Sequence, residues 1–201
     1  MALLTLIRHG QSTYNLQNRF TGNVDVPLTT LGKIEARKAG QKLKNFHFKI
    51  AYTSMLIRAL ETLRIILVEI KQTELPIIKN AALNERIYGS LQGLNKADTI
   101  QKYGEKQVDI WRRSYGVRPP EGESLEDTYN RIVPYYLLEI EPKLKMGQNI
   151  LVVAHGNSLR ALKMYLEQIS QNDIEKVNIP TGTPCNYTFD ENMKTLEVSS
   201  L

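Results

Sequence analysis

Two apolar runs in this chain end in the same dipeptide. Leu3-Leu4-Thr5-Leu6-Ile7-Arg8 leads into His9-Gly10, and Ile150-Leu151-Val152-Val153-Ala154 leads into His155-Gly156. The chain holds only three histidines, and two of them close these runs. A short continuous run of apolar and β-branched residues is the pattern of a strand buried on both faces. In open α/β sheets the ligand crevice lies outside the carboxyl ends of such strands, and a glycine there lets the backbone turn sharply. The repetition therefore predicts two imidazoles facing one crevice, with Arg8 beside the first.

The intervening pattern supplies the rest of such a sheet. Short apolar runs (Leu3 to Ile7, Ile50 to Thr53, Ile77-Ile78) alternate with helical periodicities near Thr30 to Lys44 and Met55 to Lys71. This β-α-β-α-β order predicts a mainly parallel sheet with helices on both faces, a three-layer α/β/α architecture. In the second helix Leu56, Leu60, Leu63, Leu67 and Ile70 recur at three- and four-residue steps and mark a core stripe, with Ser54 as the expected N-cap. The polar, glycine-containing middle from Ala82 to Pro120 carries amphipathic pieces around Asn95 to Tyr103 and Gln107 to Arg113, and reads as a region over the sheet that supplies binding residues. Ser124-Leu125-Glu126-Asp127 reads as a capping box opening a helix towards Leu144, kinked at Pro134. Asn157 is the expected cap of a further helix to about Gln168, and Cys185 to Phe189 with Thr195 to Val198 reads as a terminal hairpin. No linker splits the sequence, so residues 1–201 are expected to form a single catalytic domain.

Bulk properties narrow the function classes. With 42% hydrophobic and 23% charged residues the chain is neither disordered nor membrane-embedded in composition, and no apolar stretch approaches the roughly 18 residues of a span. The start lacks the charged-then-apolar pattern of a cleavable leader, and the single Cys185 fits a reducing compartment, so a cytoplasmic location is expected. A net charge of +5 favours anionic partners. The densest basic stretch, Arg37 to Lys49, has helical spacing without interleaved aromatics and reads as a solvated face. Nucleic-acid binding is therefore the weaker rival to small phosphorylated ligands, and neither nucleic acid nor membrane is the expected partner.

The candidate chemistry follows from residue type. Neutral imidazole is a nucleophile towards phosphorus, and the phosphoramidate it forms stays reactive. Arg8, and Arg58 in the first turn of the helix after Ile50 to Thr53, present planar guanidinium groups suited to phosphoryl oxygens. Gly10 to Asn15 offers backbone N–H groups and the polar side chains of Gln11, Ser12, Thr13 and Asn15, and Thr21-Gly22 offers a further turn. Glu85 has the chemistry of a proton donor and acceptor, although a carboxylate beside Arg86 also suits a surface ion pair. Lys96, Arg112 and Arg113 add cations, the last two about 100° apart if helical. No His, Cys and carboxylate spacing reads as a metal site, and none is expected.

Several of these segments are recognisable together. Leu6-Ile7-Arg8-His9-Gly10-Gln11-Ser12-Thr13-Tyr14-Asn15 resembles the signature of the histidine phosphatase superfamily. The segments from Asn84 to Lys96, Trp111 to Tyr115, Ala154 to Leu162 and Asn178 to Gly182 are similar to the 2,3-bisphosphoglycerate-dependent phosphoglycerate mutases in particular, in matching order and nearly end to end. The resemblance implies a phosphoglycerate mutase-like fold and interconversion of 3-phosphoglycerate and 2-phosphoglycerate in glycolysis and gluconeogenesis. It also implies 2,3-bisphosphoglycerate as the primer of a phosphorylated His9, no metal, and a homodimer.

Position by position, it makes His9 the nucleophile and Glu85 the acid/base, with His155, Arg8 and Arg58 stabilising the transferring group. It makes Gly10, Gln11, Ser12, Thr13, Tyr14, Asn15, Thr21, Gly22, Arg58, Arg86, Ile87, Tyr88, Lys96, Arg112, Arg113, Gly156 and Asn157 substrate contacts. The enzymatic alternative is a phosphatase of the same superfamily. Tyr14 stands where a Trp is usual and Ile87 where a polar residue is usual. Longer members carry an additional segment between Pro120 and Glu123 and a lysine-rich tail beyond the position of Leu201, so less complete closure of the site is expected here.

Overall fold

The first apolar run forms strand β1 (Ala2–Arg8) and the second forms β4 (Ile150–Ala154), and in the computed structural model, which describes residues 1–201, they lie side by side. Six strands make one sheet in the order β3-β2-β4-β1-β5-β6, with β2 spanning Ile50–Thr53, β3 Ile77–Lys79, β5 Pro184–Phe189 and β6 Thr195–Ser200. The first four in that order are mutually parallel, and β5 and β6 complete the other edge antiparallel, as the expected hairpin. Every residue of β4 is buried, as a central parallel strand covered on both faces requires.

Alternation along β4 divides the core. Ile150, Val152 and Ala154 join Leu4, Leu6, Tyr52 and Tyr187 on one face, whereas Leu151 and Val153 join Ile7, Ala51, Leu63 and Ile66 on the other. Helices α2 (Thr30–Lys42) and α3 (Ile57–Glu69) cover the second face. Helices α6 (Leu125–Tyr135), α7 (Glu141–Lys145) and α8 (Gly156–Leu166) cover the first, which makes the three layers. The short helix α1 (Thr13–Leu16) follows β1, and α4 (Lys96–Tyr103) and α5 (Glu105–Arg113) lie in the polar middle region. A small satellite core of Phe20, Leu91 and Val108, flanked by Tyr88, Ile100 and Trp111, supports this middle region. No helix is long and apolar enough to cross a membrane.

The capping box at Ser124 and Asp127 forms as read: the Ser124 side chain accepts from the Asp127 N–H, and the Asp127 carboxylate accepts from the Ser124 N–H. Two local expectations are corrected. Ser54 does not cap α3, whose N-cap is Leu56; its hydroxyl accepts from the Leu56 N–H at 3.2 Å, one residue before the helix, and meets His155 Nε2. Asn157 does not cap α8, since the helix already includes Gly156 and His155 holds the cap position. Pro134 lies inside its helix as read, and the missing N–H is followed by a π-helical turn over Tyr136–Ile140 before α7 resumes.

Candidate active site

Register explains how the two imidazoles meet. Arg8 of β1 pairs with Ala154 of β4, so the next residue of each strand is a histidine, and the His9 N–H donates to the Ala154 carbonyl at 3.0 Å. The two rings lie 5.0 Å apart between centroids, inclined at 60°. His9 is 3% exposed and His155 is fully buried. Gly10 is required immediately after His9, because a Cβ there would stand 2.2 Å from the Gly32 carbonyl oxygen of α2.

The hydrogen bonds of His9 decide its tautomer. Its Nδ1 lies 2.7 Å from the Gly10 carbonyl oxygen, which only accepts, so Nδ1 carries the proton. Nε2 is left with its lone pair, 3.3 Å from the Arg58 Nε–H. Burial and the nearby Arg58 and Arg8 hold His9 well below the ordinary histidine value, so the ring is neutral. Burial, then Arg58 and His9, do the same for His155, whose Nε2 meets the Ser54 hydroxyl at 2.7 Å. The His155 Nδ1 and the Arg8 Nε are buried without a protein partner.

Arg58 is fully buried on α3 and its side chain is tied down by the Gly22 and Val24 carbonyls, each at 2.8 Å. Burial lowers it to about 10, so it remains a cation at neutral pH. The same bonds draw the Thr21-Gly22 turn, with Gly22 at φ +55°, against the site. Glu85 approaches from the polar middle region. Its Oε1 accepts from the Arg86 and Asn157 N–H groups at 2.8 and 3.0 Å, while Oε2 makes no hydrogen bond within the protein. Gly156 fits between Arg8 and Glu85: a Cβ there would lie 3.6 Å from both the Arg8 guanidinium and Glu85 Oε2.

Above this floor opens a cleft. Of the residues singled out in the sequence, Arg8, Asn15, Thr21, Gly22, Glu85, Tyr88, Lys96, Arg112, Arg113, Gly156 and Asn157 line it. The Lys96 ammonium is held below its ordinary value by partial burial and by Arg112. His9, His155 and Arg58 are buried and are not among its lining residues.

Other singled-out residues are turned to structural tasks. Ser12 is a buried cap of α1 that exchanges hydrogen bonds with Asn15. Gln11 faces α2, donating its N–H to Glu35 and accepting from Thr29. Arg86 is fully buried and donates to the Tyr88 hydroxyl and to the Trp111 and Arg112 carbonyls, bracing the end of α5 beneath the cleft. Ile87 bonds through its backbone to Glu123, and Gly10, Thr13 and Tyr14 are likewise absent from the wall. Sequence reading missed Arg19, Phe20, Arg160, Asn178 and Ile179, which do line it. Arg160 lies within the His-Gly motif region and Asn178 opens another matching segment, whereas nothing local distinguished Arg19.

Residues 4–200 match the model of the histidine phosphatase superfamily, branch 1. The chain is 55% identical to a 2,3-bisphosphoglycerate-dependent phosphoglycerate mutase of Cytophaga hutchinsonii, over 99% of this chain and 93% of the relative. It is 57% identical to the enzyme of that name from Bradyrhizobium diazoefficiens, over 94% and 92%. Among solved structures it resembles Bacillus stearothermophilus YhfR with a TM-score of 0.84 at 24% identity, covering 97% of this chain and 94% of that one, a likeness of fold. A paired strand-end histidine site, a matching superfamily model and relatives above half identity over nearly the whole length agree: the chain belongs to the histidine phosphatase superfamily and, within it, to the 2,3-bisphosphoglycerate-dependent phosphoglycerate mutases.

Proposed function

We propose that this protein interconverts 3-phosphoglycerate and 2-phosphoglycerate through a phosphorylated His9. The observation that carries the reading is the division of the site into a buried floor with a neutral, lone-pair-bearing His9 Nε2, and a cleft wall where Lys96, Arg112 and Arg113 offer cations beyond those at the nucleophile. A monophosphate without a second anionic group leaves that wall without a partner, whereas a phosphoglycerate brings a carboxylate and a phosphate. The relatives' shared name supports the same substrate.

In this reading Glu85 Oε2 takes the proton of the attacking substrate hydroxyl as phosphorus passes from His9 Nε2 to that oxygen. The other phosphoester then returns its phosphorus to Nε2, and Glu85 gives the proton to the ester oxygen that leaves. Arg8, Arg58 and the unpartnered His155 Nδ1 offset the charge that builds on the oxygens in flight. His155 serves as a donor there when the Ser54 hydroxyl donates to its Nε2, leaving the proton on Nδ1.

2,3-Bisphosphoglycerate, when bound, supplies the phosphoryl group that primes His9. The residues fit it: buried Arg8 Nε and His155 Nδ1 lack acceptors, and the wall cations suit its remaining phosphate and carboxylate. A coupled assay of 3-phosphoglycerate consumption, with and without 2,3-bisphosphoglycerate and with a chelator, tests the proposal. Turnover that rises with the bisphosphate and ignores the chelator is expected; hydrolysis without isomerisation, or loss on chelation, overturns it.

A further inference from the structure

Two cations of the cleft, Arg19 and Arg160, have no place in this scheme, and Arg160 is already spent on the Asn157 side chain and the Arg113 and Ile174 carbonyls. Arg19 lines the cleft but lies outside every singled-out segment, and it is solvent-exposed where Arg58 and His9 are buried, which places it at the mouth. Its backbone is held firmly. Residues 17–20 and 93–96 form a two-stranded ribbon in which Arg19 pairs with Asn95, the Phe20 N–H donates to the Leu94 carbonyl at 3.0 Å, and the Gly93 and Lys96 N–H groups donate to the Phe20 and Asn18 carbonyls, each at 2.8 Å. The pairing therefore holds Arg19 opposite the start of α4, whose first residue is Lys96.

The side chain is positioned but mostly unspent. Its Nη1–H donates to the Gly93 carbonyl at 2.6 Å, and no other hydrogen bond or carboxylate partner is found for it. A guanidinium has five N–H donors, so most remain open. Two arginines outside the cleft are paired instead: Arg118 grips Asp127 through two bonds and Arg131 grips Glu123. The Gly93 tie fixes the guanidinium over the cleft and reduces the ordering cost of gripping an anion.

We propose that Arg19 is a specificity-determining residue that binds the anionic group of the substrate not undergoing transfer, together with Lys96. The inference rests on the phosphoglycerate reading for the identity of that group and extends it to a residue at the mouth. The ligand class is an organic phosphate with a second carboxylate or phosphate, presented to a planar donor.

The test titrates 3-phosphoglycerate and inorganic phosphate calorimetrically into wild type, Arg19→Met and Arg19→Lys at fixed ionic strength. Methionine keeps much of the stem and removes the charge. Arg19→Met is expected to weaken 3-phosphoglycerate about tenfold, the scale of one charge-assisted hydrogen bond. Inorganic phosphate, which fills only the transfer position, stays within about twofold, and Arg19→Lys recovers part of the loss. Unchanged affinity for 3-phosphoglycerate, or equal weakening of both ligands, overturns the proposal, the second outcome marking Arg19 as a tie for the ribbon alone. Wild-type turnover of 3-phosphoglycerate reports separately on the mutase reading, since absence of turnover condemns that reading whatever the two affinities show.

Discussion

The His9 and His155 rings face each other at 5.0 Å because Arg8 and Ala154 are paired in neighbouring parallel strands, so one register fixes both imidazoles. A slip of one residue turns one of them to the opposite face of the sheet. The pairing of β1 with β4 is thus the element on which the proposed chemistry depends, and four expectations follow from it and from the surrounding wall.

His9→Ala is expected to abolish both mutase and phosphatase activity, since Nε2 is the proposed acceptor of phosphorus. Mass spectrometry after incubation with 2,3-bisphosphoglycerate should show one added phosphoryl group on wild type, labile in acid, and none on the variant. A label on the variant, or one mapped to the buried cap Ser12, rules out His9.

Glu85→Gln keeps the shape of the carboxyl group, and its Oε1 position still accepts from the Arg86 and Asn157 N–H groups. Substrate affinity is therefore expected to survive while turnover falls by about 10² to 10⁴, the usual contribution of general acid–base catalysis. Steady-state kinetics with a less than tenfold loss of kcat would assign Glu85 a positioning task only.

Arg112→Ala and Arg113→Ala remove side chains from the wall but leave the carbonyls that accept from Arg86 and Arg160. Both variants should lose phosphoglycerate use more steeply than hydrolysis of a small phosphate ester. Comparing kcat/KM on the two substrates decides the matter: equal losses would point to general disruption of the end of α5.

Stability should fall with pH through the histidine range. Burial, with Arg58 nearby, depresses both His9 and His155 in the folded state below the ordinary 6.5, so the unfolded chain binds more protons as pH drops past that value. Above 6.5 both states are neutral and the shift leaves stability unchanged; below it the folded state is penalised increasingly. The slope of unfolding free energy approaches about 1.4 kcal/mol per pH unit for each histidine. Urea midpoints between about pH 7.5 and 5.5 should show the decline, and His155→Gln should reduce it. An unchanged slope in that variant would mean that His155 carries its proton in the folded protein.

Much of the architecture was legible locally, because strand burial, helix period and capping are short-range properties. The apolar runs before His9 and His155, the stripe from Leu56 to Ile70 and the Ser124 to Asp127 box all appear in the structure where the residue pattern put them. Local pattern was less reliable where a polar side chain had a distant partner. Ser54, Gln11 and Arg86 are engaged by His155, by Thr29 and by carbonyls of α5, none of which is legible beside them in the chain.

What the sequence determined by itself was therefore the set of elements and the layer arrangement, which rest on local pattern and order along the chain, and the family, which rests on the resemblance of its His9, Glu85 and His155 segments. Only the tertiary structure decided which polar residues face the cleft. The β1 and β4 register set the two histidines together, and the 17–20 and 93–96 ribbon brought Arg19 and Lys96 to one wall. Both are pairings between segments remote in sequence, whose backbone hydrogen bonds form only when the sheet and the satellite core bring them together.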